Sequence, residues 1–141
     1  MLVTTSRDPS AKARRFGKAL ASFLSLPYVN RGKHLSDKEE TWMVVVENHG
    51  NPHGLVKRSL EKEEQLTFTL LGELPRGRLK SLVPVVVGAD LDALKIAQFF
   101  ELVWLGEFMP AEVEGPKRAL LVASGQIDFI DEGKAKFRLK I

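Results

Sequence analysis

The sequence predicts an α/β fold in which two similar strand-helix-sheet halves, about residues 1–80 and 81–141, pack into one compact domain. Three stretches carry this expectation. Residues 2–5 are aliphatic or β-branched and lead directly into an amphipathic basic helix; residues 43–46, Met-Val-Val-Val, are a continuous apolar run of strand length; and residues 83–103 repeat the order of strand, acidic cap and helix.

Leu2, Val3, Thr4 and Thr5 suit a pleated, half-buried surface and form the first strand. Asp8 followed by Pro9 gives an N-cap and a proline at the first helical position, which predicts a helix starting at Pro9. Phe16, Leu20, Phe23 and Leu24, with Ala13 and Ala19, share one arc at the 3.6-residue period, while Arg14, Arg15 and Lys18 point the opposite way and Lys12 lies near the edge. Pro27 stops the pattern, and Tyr28-Val29-Asn30 reads as a brief strand. Ser36 and Glu39 have capping-box spacing, so a short helical turn is expected before Thr41. Residues 43–46 lack polar alternation, which places them in a sheet covered on both faces, with the Phe16, Leu20, Phe23 stripe packed against it. Gly50-Asn51-Pro52-His53-Gly54 is dense turn chemistry, and Leu66-Thr67-Phe68-Thr69-Leu70 alternates as one half-buried strand. Arg76 and Arg78 follow in a loop and form a second, weaker cationic group.

In the second half, residues 82–88 read as a strand and residues 90–103 as a helix anchored by Leu94, Phe99 and Leu102. Asp90, Asp92 and Glu101 oppose the lone Lys95, so this helix offers no cationic face; its apolar positions point to deeper burial or to a partner. Residues 119–123 form a strand, and residues 127–130 and 135–139 a hairpin about Asp131-Glu132-Gly133-Lys134, with Lys136, Arg138 and Lys140 on its outer side.

At 141 residues, 44% hydrophobic and 28% charged, the chain has the composition of an ordinary globular domain. It has no cysteine, which excludes disulfides, thiolate metal sites and cysteine nucleophiles. No apolar run approaches the ~20 residues needed to span a bilayer, and the first residues lack the order of a signal peptide, so a cytoplasmic protein with no membrane contact is expected. The net charge of +3 conceals a polarised chain. Residues 1–34 hold seven bases (Arg7, Lys12, Arg14, Arg15, Lys18, Arg31, Lys33) against Asp8 alone, giving +6; the remaining fourteen bases and seventeen acids give −3. A solvated helix face carries lysine and arginine for solubility alone, but this concentration of one sign suits an anionic partner. The free amides of the first helical turn, with the Thr5 and Ser6 hydroxyls before them, are candidate phosphate contacts.

Thr4-Thr5-Ser6-Arg7-Asp8-Pro9-Ser10 before a basic helix, then Tyr28-Val29-Asn30-Arg31-Gly32-Lys33, then Gly50-Asn51-Pro52-His53-Gly54-Leu55 with its Gly-x-Pro-x-Gly-Leu spacing, together resemble the Brix-domain family of ribosome-assembly factors. The three motifs match in order and spacing over the first 55 residues; beyond them the likeness is one of pattern and length. The resemblance implies a single domain of archaeal type without long basic tails, similar in fold to the anticodon-binding domain of certain aminoacyl-tRNA synthetases. It also implies a non-catalytic role in ribosomal RNA processing and subunit assembly, with ribosomal RNA or its precursor, and other assembly proteins, as partners. RNA binding is then expected at Arg7, Lys12, Arg14, Arg15, Lys18, Arg31 and Lys33. The competing reading is a protein-interaction scaffold within a pre-ribosomal complex, making little direct RNA contact.

Catalysis finds no support in the residues. His49 and His53 stand four apart, but Gly50, Asn51 and Pro52 forbid the helix that would align them on a metal. The carboxylate pairs Asp90/Asp92 and Glu63/Glu64 are explained by capping and solvation, and no phosphate-binding glycine loop, dinucleotide fingerprint or nucleophile elbow occurs. No cofactor, metal or small-molecule substrate is expected. Trp42, Trp104 and most phenylalanines sit in apolar patterns that read as core; Tyr28, beside Asn30 and Arg31, is the one aromatic placed to meet a base.

Overall fold

β1 (Leu2–Thr5) and β2 (Trp42–Asn48) run parallel, with Val3 opposite Met43 and Thr5 opposite Val45; helix α1 (Ala11–Leu24) lies between them in the chain. The structure, a computed structural model, describes residues 1–30, 40–106 and 117–141. β3 (Asn51–Arg58) and β4 (Glu63–Thr67) add antiparallel to β2, so the first sheet has the order β1-β2-β3-β4. Phe16, Leu20 and Phe23 of α1 are fully buried, as are Val3, Met43, Val45 and Leu55 of the sheet. Met43, Val44 and Val45 are buried in succession, as the apolar run predicts. The Phe16 ring meets Phe68 at 5.1 Å between centroids.

The second sheet repeats this plan. β6 (Val85–Val87) runs parallel to β7 (Arg118–Ala123), with α2 (Leu91–Phe100) between them in the chain, and β8 (Gln126–Asp131) and β9 (Lys134–Lys140) follow antiparallel. β5 (Thr69–Leu71) completes the order β5-β9-β8-β7-β6. Leu120, Ile127, Phe129 and Leu139 are fully buried, and the Phe129 and Phe137 rings stack at 4.2 Å. Arg118 and Asp131 form a buried pair at 2.9 Å, and Arg118 also donates to the Leu82 carbonyl. By contacts the chain divides into Met1–Thr69 with Arg76–Ser81, and Leu70–Pro75 with Leu82–Ile141.

The repeat extends to details. Ser10 and Asp90 cap their helices by accepting the amide of the third residue on, Ala13 and Ala93. Ser25 and Glu101 close them in the left-handed conformation. The chain returning from each helix then forms one parallel bridge beside the first strand: Tyr28 with Val3, and Trp104 with Val86. α1 has 14 residues and α2 has 10, so the first helix is longer by about one turn.

Several expectations shift. The helix begins at Ala11 with Ser10 as its cap; Asp8 lies in the left-handed region at φ 53, which rules it out as the extended cap residue. Tyr28-Val29-Asn30 contributes a single bridge rather than a strand. The β2–β3 turn is His49-Gly50 alone, both at positive φ, and Asn51 to Gly54 already belong to β3, with a bulge opposite Val46 and Glu47. The same two-residue geometry joins β7 to β8 at Ser124-Gly125 and β8 to β9 at Glu132-Gly133. Residues 66–70 do not form one strand: the pairing breaks at buried Phe68, and β4 and β5 serve different sheets. The strand predicted over 82–88 shortens to β6, and α2 stops at Phe100, three residues short of 103. Trp104 is not core: it is 40% exposed, and its indole donates to the Gly88 carbonyl at 2.8 Å. The helical turn expected at 36–39 lies outside the described residues.

Surface ion pairs tie the outer strands: Lys62 and Lys57 approach Glu64 at 3.1 and 3.6 Å, and Arg138 approaches Asp128 at 3.3 Å. The hydrogen bond from Lys62 holds the Glu64 carboxyl below its ordinary value, against the opposing effect of burial. Its contribution to stability is therefore present above the carboxylate range and is lost as pH falls through the lowered folded value.

Two substitutions test this packing. Phe16→Ala is expected to cost about 3–5 kcal/mol in denaturant unfolding, because it empties a fully buried aromatic site. A methyl group at Gly88 would stand 2.5 Å from the Val122 carbonyl oxygen and 2.7 Å from the Ala93 Cβ. Gly88→Ala is therefore expected to cost about 1–3 kcal/mol, read as a lowered denaturation midpoint.

Candidate functional site

The outer face of α1 carries Lys12, Arg14, Arg15 and Lys18, all exposed, with no acid anywhere in the helix. The helix folds this way because its opposite arc is apolar and is drawn onto the sheet, leaving the cations at positions three and four apart on the solvent side. Arg7 is exposed in the turn between β1 and α1. Among the described residues Arg7, Arg14 and Arg15 make no ion pair, whereas Lys12 donates to Asn51 Oδ1 at 3.0 Å and Lys18 stands over the Tyr28 ring, 5.9 Å from its centroid. These are cations without anions. Their repulsion makes the surface receptive to an external negative charge.

The helix N-terminus itself is not vacant. The Ser10 amide donates to Glu47 Oε1 at 2.5 Å, the Ser10 hydroxyl donates to the Gly50 carbonyl at 2.8 Å, and the same oxygen accepts the Ala13 amide at 3.1 Å. A carboxylate of the β2–β3 hairpin thus occupies the place where a phosphate oxygen was expected. Thr5 is also unavailable, being 2% exposed with its side chain on the α1 side of the sheet near Gly17. Ser6 is half-buried, and its amide donates to the Val45 carbonyl at 3.4 Å. The Ser10 and Ala13 amides are thus engaged within the protein, and the open positive charge of this face is that of its side chains.

Tyr28 lies against α1, where Gly17 makes room: a Cβ there would be 2.8 Å from the Tyr28 ring. Between this packing and Lys18 the ring is engaged within the protein, not held out as a stacking platform. Because the Tyr28 bridge to Val3 is parallel, the chain leaves Asn30 at the same edge of the sheet as Ser6 and Arg7. Arg31 and Lys33, the other cations expected to bind RNA, fall outside the described residues.

One neighbour of this face is invisible in the sequence. The Leu79 amide donates to Ser22 Oγ at 2.8 Å, which fixes the loop of Arg76, Arg78 and Lys80 to α1. The sequence marks Arg76 and Arg78 as cations, but the separation of 57 positions between Ser22 and Leu79 hides their placement.

α2 provides the contrast. Its outward residues are Leu91, Asp92, Lys95 and Gln98, and the apolar side chains of Leu91, Val103 and Leu105 are 71%, 64% and 46% exposed. This helix is not more deeply buried than α1. Among the described residues no three His, Cys, Asp or Glu side chains gather as a metal site, and no helix is long and apolar enough to cross a membrane. His49 sits in its turn at φ 51 and His53 is exposed at the bulge.

No family model matches the chain. A probable Brix domain-containing ribosomal biogenesis protein of Methanosarcina mazei is 34% identical over 157 aligned positions, spanning 100% of this chain and 96% of the relative. A protein of the same description from Archaeoglobus fulgidus is 43% identical over 75 positions, 49% of this chain and 48% of the relative. Among solved structures, Mil, an archaeal Imp4-like protein, superposes with a TM-score of 0.78 at 25% identity, covering 100% of this chain and 96% of that one. A probable ribosomal biogenesis protein from Aeropyrum pernix shares the fold with a TM-score of 0.60 at 24% identity, over 99% and 92% of the two chains. With full-length similarity above 30% and the motifs of residues 4–10, 28–33 and 50–55 in order, the chain belongs to the Brix-domain family of ribosomal biogenesis proteins.

Proposed function

We propose that the protein is a non-catalytic, cytoplasmic RNA-binding factor that contacts ribosomal RNA or its precursor through the outer face of α1 during RNA processing and subunit assembly. The observation that carries this reading is the row of exposed cations on a helix without a single acid, in a chain whose remainder is net negative. Arg14, Arg15 and Lys18 provide the central contacts, with Arg7 and Lys12 at the N-terminal end and Arg31 and Lys33 as further candidates by sequence. Guanidinium and ammonium groups on a rigid helix neutralise phosphates and release counterions, which gives affinity with weak sequence preference. Membership of a ribosomal biogenesis family supports an RNA of the ribosome as the partner.

The exposed apolar group of Leu91, Val103, Trp104 and Leu105 favours a second reading, a scaffold that holds another assembly protein. Under that reading the α1 cations serve solubility alone.

Binding to structured ribosomal RNA fragments across a salt series separates the two. Removing Arg14, Arg15 and Lys18 together is expected to flatten the plot of log affinity against log salt by about two units, at ~0.7 per single-strand phosphate, with an unchanged melting temperature. Lys95→Ala on α2 is expected to leave slope and affinity as they are. A triple variant that retains both wild-type values makes the basic helix a solvated surface and leaves the scaffold reading standing.

A further inference from the structure

We propose that the loop of residues 76–81 is a second wall of the α1 surface, and that Arg76 and Arg78 bind the same RNA backbone as Arg14, Arg15 and Lys18. The inference rests on the reading of α1 as an RNA contact, and adds to it a part of the chain more than fifty residues away. Ser22 stands four residues after Lys18 and seven after Arg15, so the three share one stripe of the helix. The bond from the Leu79 amide to Ser22 Oγ anchors the loop on that stripe, and contact grouping places Arg76–Ser81 with the α1 half of the chain. Arg76, Arg78 and Lys80 are exposed, and residues 75–82 contain no acid.

The geometry is close enough for the two groups to act together. Lys18 lies about 6 Å along the helix axis from Ser22, and Arg78 is about 3.8 Å along the backbone from Leu79. Lysine and arginine side chains extend several ångströms beyond their backbone positions, so one phosphate backbone can meet cations of both groups. A phosphate backbone laid along α1 would therefore meet positive charge from the helix on one side and from the loop on the other. A single strand, or the rim of a helix whose grooves are read by shape, suits such a trough. Ser22 has a positioning role here, since it brings the loop to the site without touching RNA itself.

The test uses the full chain and a fluorescein-labelled stem-loop RNA with a single-stranded 3′ tail, titrated across a salt series with melting curves in parallel. Arg76→Ser with Arg78→Ser is expected to flatten the salt slope by about 1.4 units, two phosphates at ~0.7 each. Ser22→Ala, which changes no charge, is expected to weaken binding and flatten the slope by releasing the loop. Lys134→Ser with Lys140→Ser, an equal loss of charge on β9, is the control and is expected to leave the slope unchanged. A wild-type slope in either the loop double variant or Ser22→Ala overturns the proposal, as does a control that flattens as much as the loop variant. If the α1 triple variant loses its two units while the loop variant does not, only this inference fails; if neither changes, the RNA reading of α1 fails with it.

Discussion

The architecture depends on one pairing made twice. The Val3 amide donates to the Pro27 carbonyl at 2.9 Å, and the Val29 amide donates to the Val3 carbonyl at 2.9 Å. In the second half Val86 does the same with Val103 and Leu105, at 2.8 and 2.9 Å. A parallel partner for a strand requires the chain to travel back along its full length first, and a helix is the compact way to do so. In both halves the helix that makes this return buries its apolar arc and ends at a left-handed residue, Ser25 or Glu101.

Within that frame the two halves are free to differ on the outside. Ala13 and Ala93 hold equivalent buried places after their caps, and Phe16 and Ile96 follow three residues later. Nothing in this packing constrains Arg14, Arg15 and Lys18 on one helix or Leu91, Asp92 and Lys95 on the other. The shared fold does not itself assign a function; the outward positions carry it. α1 presents charge on its outer face, whereas the outward residues of α2 are Leu91, Asp92, Lys95 and Gln98.

The electrostatics of the remaining surface sharpen the contrast. Away from α1, many cations have an acid within reach: Arg58 with Glu63, Lys62 and Lys57 with Glu64, Arg138 with Asp128, and Arg118 with buried Asp131. Around α1 the partners are neutral, an asparagine amide for Lys12 and a tyrosine ring for Lys18. Glu47, a carboxylate close by, is directed to the Ser10 amide, where it serves the helix and not the cations. Charge neutralised within the protein stabilises the fold, and charge left open is available to a partner.

The sequence by itself determined the helix faces, the apolar run of residues 43–46, whose first three residues are buried, the repeated order of strand and helix, and the concentration of positive charge in residues 1–34. These are local properties: periodicity, β-branching and composition are written within a few turns or strands of chain. The Brix motifs were equally legible, being short and contiguous. Tertiary structure decided what depends on distant residues. It put Glu47 on the Ser10 amide and turned Thr5 inward, so two of the groups that the sequence offered to a phosphate are engaged within the protein. It moved the cap from Asp8 to Ser10, where a hairpin carbonyl 40 residues away could accept the serine hydroxyl. It split the alternating run 66–70 between two sheets at Phe68, and it set Arg76 and Arg78 beside α1 through Leu79 and Ser22. No periodicity encodes such pairings, because hydrogen bonds between segments dozens of residues apart are chosen by tertiary packing and not by the local pattern of residues.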